Sequence, residues 1–156
     1  MRYFHGSSHP AALGTILRGR GAAYEAEWKG TDFYAALEAH RPAQMIPHRE
    51  AVFMCAQEDI DNCGGSIEII YELRPQGHVS RHDMNWSSEI SCMLADGADT
   101  DAPSVIEAAR AYWQGKAHDN DQVWEYLARS AQVLRVVEDN RDPDLIKGSN
   151  PSMPEP

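Results

Sequence analysis

Two short motifs near opposite ends of the chain carry polar side chains suited to chemistry on a ribose. His5 is followed by Gly6 and Ser7, and Glu125 stands within an apolar run typical of a strand. An imidazole at a strand end can bond a sugar hydroxyl, and a neighbouring glycine lets a flat ligand approach the backbone closely. A fixed carboxylate stabilises the positive charge that develops on a ribose when its C–N glycosidic bond breaks.

Both motifs also have ordinary structural explanations. A histidine followed by a glycine is common in turns, and a single glutamate in a strand is commonly on the side that faces solvent. Because an unpaired charge is costly to bury, Glu125 must face either solvent or a polar pocket. Only the second arrangement makes it a functional residue.

An aromatic residue and an arginine lie together in a third patch. Phe53 stands in the apolar run 52–55, where its ring can stack on a planar base, and Tyr71 or Tyr24 is an alternative for this role. Arg49 lies just before this run and suits a diphosphate, although a solvated surface position is the more common explanation for such an arginine. The other arginines considered for the same contact are Arg18, Arg20 and Arg41.

The polar run 81–89 is a possible accessory site. Glu89 could assist or replace Glu125, and Asn85 adds an amide. The same run also fits the start of a helix, because short polar side chains cap the first free N–H groups. The candidate N-caps are Asn85, Ser87 and Ser88.

The cysteines and histidines predict neither disulfides nor a metal site. Cys55, Cys63 and Cys92 are odd in number and lack CxxC spacing, which favours reduced thiols and a cytoplasmic protein. His78 and His82 with Cys92 do not give a four-ligand zinc spacing. Since no apolar run reaches the roughly 18 residues that span a bilayer, we expect no membrane contact.

The overall charge limits the class of partner. The chain has 14 Lys and Arg against 24 Asp and Glu, a formal charge of −10, and shows no basic stripe, so duplex DNA is not an expected partner. A dinucleotide is compatible with this charge, because one or two arginines and backbone N–H groups can hold two phosphates locally. Gly19 and Gly21 lack the third glycine and the preceding strand of a Rossmann fingerprint.

The patterning predicts a single α+β domain over residues 1–142 and a flexible Pro-rich tail over 143–156. Alternating or compact apolar runs predict the strands, and apolar spacing of three to four residues predicts the helices. The predicted strands are 2–5, 50–55, 66–73, 78–82, 123–127 and 131–137. The predicted helices are one that begins at Pro10 and carries Leu13, Ile16 and Leu17, one at 32–40 after Thr31, one at 87–94 and one at 103–115.

The order of these motifs resembles the ADP-ribosyltransferase fold of the diphtheria toxin and poly(ADP-ribose) polymerase branch. That family carries His-Gly-Ser/Thr on an early strand and Glu-Tyr-Ile/Leu on a late one, as do residues 5–7 and 125–127 here. Gln132 and Val133 also follow as in the polymerase branch. The resemblance implies a split β-sheet core with flanking helices, NAD as co-substrate and a protein acceptor.

The resemblance also implies roles for individual residues. It assigns a ribose to His5, the nicotinamide carboxamide to Gly6, with Ser7 beside it, and the reacting ribose to Glu125. Phe53 stands where the family usually has a tyrosine that stacks on nicotinamide. Small phage ADP-ribosyltransferases, including one anti-CRISPR type, begin with the same Phe-His-Gly-Ser as residues 4–7, which suggests a protein-modifying effector. The alternatives are an NAD glycohydrolase, an NAD-dependent RNA 2′-phosphotransferase, and a non-catalytic binding or inhibitory protein.

Overall fold

The computed structural model describes residues 1–63 and 65–148, with the side chains of 146–148 left out. The strands are β1 Tyr3–Ser7, β2 Ile16–Arg18, β3 Val52–Cys55, β4 Ile69–Gln76, β5 Ser80–Asp83, β6 Trp124–Ala128 and β7 Ser130–Asp139. The helices are α1 Ala22–Trp28, α2 Asp32–Glu38, α3 Met84–Ala95, α4 Pro103–Trp113 and α5 Pro143–Gly148, and His48–Glu50 and Gln57–Asn62 form 3₁₀ turns. The mixture of helices with an antiparallel sheet confirms the α+β class.

The strands form one sheet of seven strands in the order β2-β7-β4-β1-β3-β6-β5, and every neighbouring pair is antiparallel. The pairing is uneven. The strands β4 and β7 pair along the whole of β4, whereas β1 and β3 meet at the single pair Phe4 and Cys55. The sheet therefore consists of a four-strand part and a three-strand part that share a narrow join.

Helices cover one face of the three-strand part. The residues that α2, α3 and α4 bury there pack against Ala51 of the chain before β3 and Leu127 of β6. The helical members of this core are Ala36, Leu37, Ile90, Val105, Ala108, Ala109, Tyr112 and Trp113. Apolar residues at helical spacing on α4 therefore form the inward side of that helix, as the sequence predicts.

A second core lies on the opposite face and is built mainly by strands. Its buried members come from β3, β4, β6 and β7, with Ala11 and Leu17 packed at the margin. The buried members are Val52, Met54, Ile69, Tyr71, Leu73, Tyr126, Ala128, Ala131 and Val133. Alternation along β3 and β6 sends successive side chains to the two cores.

Most predicted elements are confirmed, with boundary shifts of a few residues. Thr31 caps α2 through its side chain, which accepts a hydrogen bond from the Tyr34 N–H, and Pro103 occupies the first turn of α4. The predicted strand 66–73 begins later, at Ile69, and continues through Pro75. Because β1 pairs with β4 only as far as Leu73, the missing N–H of Pro75 removes no bond of that ladder.

The predicted helix after Pro10 is wrong. Gly14 has a φ of +83° in a turn, and Ile16–Arg18 forms the edge strand β2, which pairs with Ser130–Gln132 of β7. Leu17 packs on the second core, whereas Leu13 is exposed. The helical spacing is misleading here because strand pairing with a distant segment decides the local conformation.

Three further differences concern helices. The helix α1 is absent from the sequence-based prediction, and α3 begins at Met84, three residues before the predicted start. Its N-cap is Asp83 and not one of the three predicted residues. The helix α5 begins at Pro143, inside the predicted flexible tail, and residues 149–156 lie outside the described part of the chain. No helix in the described part is long and apolar enough to cross a membrane.

Candidate functional site

Glu125 points into the protein and away from bulk solvent. It lies on β6, between Cys55 of β3 and His82 of β5, and keeps 7% of its surface exposed. Its Oε2 accepts a hydrogen bond of 2.6 Å from the Tyr112 hydroxyl. Burial raises the pKa of Glu125 from 4.5 to about 7, and the Tyr112 bond opposes this shift. A carboxylate in this state changes its charge near neutral pH.

A chain of aromatic hydrogen bonds continues from this carboxylate. The Tyr112 hydroxyl lies 2.8 Å from His48 Nε2, and His48 Nδ1 lies 3.2 Å from the Tyr24 hydroxyl. Burial, followed by the charges of His82 and Arg41, lowers the pKa of His48 to about 3. His48 is therefore neutral at physiological pH. Burial raises the pKa of both tyrosines, so each hydroxyl keeps its proton.

Phe53 brings an aromatic face to the same region. Its half-buried ring lies nearly parallel to Tyr24, with centroids 6.0 Å apart at 19°, and edge-on to His48 at 5.2 Å. Phe53 and Leu127 are cross-strand partners, so this ring shares a face of the sheet with Glu125. The predicted stacking residue and the predicted catalytic carboxylate therefore lie on one side of the sheet, with Tyr24 as a third member.

His5 is anchored at the narrow join of the sheet. Its Nδ1 lies 2.7 Å from the Phe53 carbonyl oxygen. A carbonyl oxygen only accepts, so Nδ1 carries the proton and Nε2 is left as an acceptor. Burial lowers the pKa of His5, which favours this neutral form. The ring can thus accept a hydrogen bond from a ligand hydroxyl.

The strand β3 lies between the strands that carry His5 and Glu125, and no hydrogen bond joins these two side chains among the described residues. Paired residues of an antiparallel sheet project on the same face. Glu125 pairs with Cys55, and Cys55 pairs with Phe4, so Glu125 shares a face with Phe4 and not with His5. The ladder between β1 and β3 stops at Phe4, and the His5 ring reaches the Phe53 carbonyl beyond this point. A ligand held by both side chains must cross this join.

Gly6 and Ser7 make contacts within the protein. A Cβ at Gly6 would lie 2.0 Å from the Ser66 carbonyl oxygen, so only glycine allows the chain before β4 to pass here. The Ser7 hydroxyl bonds the N–H and the carbonyl of His9. The sequence predicts that a ligand approaches the backbone closely at Gly6. On one side of the strand, this space is taken by the Ser66 carbonyl.

Arg49 and Tyr71 lie away from the Glu125 carboxylate. Arg49 is exposed, pairs with Glu25 at 2.8 Å, and lines a polar cavity of about 440 Å³. The Tyr71 ring belongs to the second core, and its hydroxyl bonds Ala11 N at 2.7 Å. The other residues that line the cavity are Glu25, Lys29, Tyr34, Glu38, Arg41, Ala43, Pro47, Glu50 and Arg129.

Glu89 and Asn85 belong to a separate polar cluster around Asp83. Glu89 is exposed and accepts a 2.6 Å bond from His118 Nε2. Asn85 donates through both its backbone and its side chain to Asp83. This cluster joins α3 to the chain that leads into β6.

Several residues around Glu125 have no sequence motif that predicts their role. The sequence places Tyr112 on the apolar face of α4, and the one signal of a further role is that a fully buried tyrosine needs a partner for its hydroxyl. His48, just after Pro47, had no recognisable motif. His82, considered above as a zinc ligand, uses Nδ1 on the Tyr112 carbonyl and Nε2 on Ser80.

The site thus combines a buried Glu125 carboxyl of raised pKa, a neutral His5 at the join of the sheet, and the Phe53 and Tyr24 rings on the Glu125 face. A scan against protein-family models finds no match for the chain, and a search of curated proteins finds no relative.

Proposed function

We propose that this protein is an NAD-dependent mono-ADP-ribosyltransferase that modifies a protein side chain. The observation that carries the proposal is the Glu125 carboxylate, which is buried on the face of the sheet that also holds the Phe53 ring. Among the described residues, the Glu125 carboxylate accepts one side-chain hydrogen bond, from the Tyr112 hydroxyl. The order of the His-Gly-Ser and Glu-Tyr-Leu motifs and the narrow join between β1 and β3 are consistent with the family's split core.

The residues present fit a nicotinamide riboside in chemical type. His5 Nε2 suits a ribose hydroxyl, and the Phe53 and Tyr24 rings suit a planar base. The role of Gly6 toward a carboxamide requires an approach from the side away from Ser66. Arg49 suits the diphosphate only if the ligand extends toward the polar cavity that this side chain lines.

Glu125 supplies the main chemical contribution. NAD provides a ribose whose bond to nicotinamide breaks with both electrons leaving on the nicotinamide nitrogen, so positive charge develops on the sugar. A carboxylate fixed in a region shielded from water stabilises that charge more strongly than water does. The Tyr112 bond occupies Oε2, which leaves Oε1 for the sugar or for the proton of an attacking group.

The charge of the chain favours a protein acceptor over RNA. An RNA substrate normally requires a basic groove, whereas the formal charge here is −10. Transfer to water, which would make the protein an NAD glycohydrolase, and a purely binding function on the same fold are separate outcomes of the test below.

The test uses NAD labelled on the adenylate part, with and without cell lysate. We expect wild-type protein to release nicotinamide and to transfer label to a protein band, and Glu125→Gln to do neither. Glu138→Gln, which changes an exposed glutamate on β7, is the matched control and should behave like wild type. Release without label transfer would indicate the glycohydrolase. A folded wild-type protein that neither releases nicotinamide nor binds NAD in calorimetry would refute the proposal.

A further inference from the structure

We infer that Tyr112, His48 and Tyr24 form a one-directional hydrogen-bonded chain that ends on Glu125 Oε2 when this carboxylate is ionised, and that Tyr112 and His48 are positioning residues that favour its ionised form. The inference rests on the proposed function only for its consequence in catalysis. The chain itself follows from the contacts.

The direction of the chain follows from what each group can donate. An ionised carboxylate only accepts, so the Tyr112 proton is used on Glu125 at 2.6 Å. The Tyr112 oxygen must then accept from His48 Nε2–H at 2.8 Å. Neutral His48 has one proton, so its Nδ1 accepts from the Tyr24 hydroxyl at 3.2 Å. Every donor in the chain points toward Glu125.

Tyr112 is held through its backbone carbonyl as well as through its hydroxyl. Its carbonyl oxygen accepts from His82 Nδ1–H at 2.7 Å, and His82 Nε2 accepts from the Ser80 hydroxyl. His82 is also the cross-strand neighbour of Glu125 on β5. The His82 ring also stacks on the Tyr112 ring, with centroids 4.6 Å apart at 23°, so β5 restrains the phenol that α4 presents to the carboxylate.

Among the titratable groups near Glu125, Tyr112 is the one that stabilises its ionised form by a hydrogen bond. These groups comprise Tyr112 of α4, His48 of the 3₁₀ turn, Tyr24 of α1, His82 of β5, Cys55 of β3 and Cys63 after the second 3₁₀ turn. Glu38 acts on Tyr24 and Tyr112 from α2, and Arg41 acts on His48. Only the Tyr112 hydroxyl donates a hydrogen bond to the carboxylate within the described part of the chain. Its loss leaves desolvation unopposed.

The decisive variant is Tyr112→Phe, compared with Tyr126→Phe. Tyr126 lies next to Glu125 on β6 but belongs to the second core, so the control removes the same atom on the other face of the sheet. The first readout is the titration midpoint of the Glu125 carboxyl carbon by ¹³C NMR, which needs no substrate. Because a hydrogen bond to a charged group favours the ionised form, we expect the midpoint to rise by about one to two pH units in Tyr112→Phe only.

The second link is tested at His48. In His48→Gln the amide N–H can replace Nε2–H as donor to Tyr112, so this variant should keep a midpoint near that of wild type. In His48→Met that donor is lost, and the midpoint should rise, by less than in Tyr112→Phe. The pH at which nicotinamide release reaches half its maximum should move with the NMR midpoint through the series.

The outcomes separate the two proposals. Unchanged NMR midpoints in folded Tyr112→Phe, or equal shifts in Tyr112→Phe and Tyr126→Phe, would overturn the inference whether or not NAD is consumed. If Tyr112→Phe does not fold, equal midpoints in His48→Met and His48→Gln would overturn it instead. Shifted midpoints in a protein that never turns over NAD would support the chain and reject the proposed function.

Discussion

Two buried carboxylates on neighbouring strands have different hydrogen-bond surroundings. Asp83, at the end of β5, is completely buried and accepts bonds from the Asn85 N–H and amide, the His118 N–H and the Val123 N–H. Glu125, on β6, is almost as buried but receives one hydroxyl. Similar burial therefore leaves the two carboxylates with very different numbers of hydrogen-bond donors. Asp83 has the satisfied surroundings of a structural carboxylate, whereas the proposed function assigns the chemistry to Glu125, which has a single donor.

The two carboxylates are also connected through the backbone. Asp83 caps α3 and ties down the chain before β6, and its bond to Val123 lies two residues before Glu125. Asp83, which accepts several hydrogen bonds, thus fixes the backbone of the strand that carries Glu125, which accepts one.

The largest effect should be on activity in Glu125→Gln. Loss of a fixed charge that stabilises a developing cation costs about 10² to 10³ in rate. We therefore expect nicotinamide release to fall by at least about a hundredfold while the circular dichroism spectrum stays unchanged. Activity within a few-fold of wild type would assign the chemistry to another residue.

The next largest effect should be on stability in Asp83→Ala. Removal of the buried carboxylate leaves several part-buried N–H groups without this partner, at a cost of about 1 kcal/mol or more each, so the free energy of unfolding should fall by about 3 kcal/mol. Urea unfolding of Asp83→Ala and Asp83→Asn measures this. The amide introduced by Asp83→Asn keeps one acceptor oxygen, so the loss of stability in that variant should be smaller. Equal stability of both variants and wild type would show that the hydrogen bonds of Asp83 do not stabilise the fold.

Glu125→Gln should be more stable than wild type in alkaline solution. The pKa of Glu125 is raised on folding, to about 7, so the stabilisation by its protonated form is complete below about pH 4.5 and is lost as pH rises through 7. Glutamine does not titrate. Its advantage should be about 3 kcal/mol at pH 8 and close to zero at pH 4.5, as measured by urea unfolding at both values. An advantage that is independent of pH would contradict the raised pKa.

The smallest effect should come from Glu89→Gln. The Glu89 side chain is about half exposed and makes one hydrogen bond, to His118, so the free energy of unfolding should change by less than about 1 kcal/mol. Thermal unfolding at low and high salt provides the measurement. A much larger loss of stability would show that Glu89 helps to hold the structure around Asp83 through His118.

The sequence predicts elements well where local pattern and burial agree. The apolar face of α4, the compact run of β3 and the final strand pair were all recognisable, because their side chains alternate or recur with the period of the element. The segment after Pro10 was not, because its strand forms only against β7, more than a hundred positions away. Local spacing cannot report such a partner.

By itself the sequence determined which residue types are available: a histidine before a glycine, a glutamate in an apolar strand, and an aromatic in the middle run. It could not determine that Glu125 is buried, that Tyr112 bonds Glu125 and His48 bonds Tyr112, or that His5 bonds Phe53. These contacts join positions 13, 48 and 64 residues apart. The order of strands across the sheet and the packing of α4 on its face bring these residues together, because only tertiary packing places donors and acceptors from distant segments within hydrogen-bond distance.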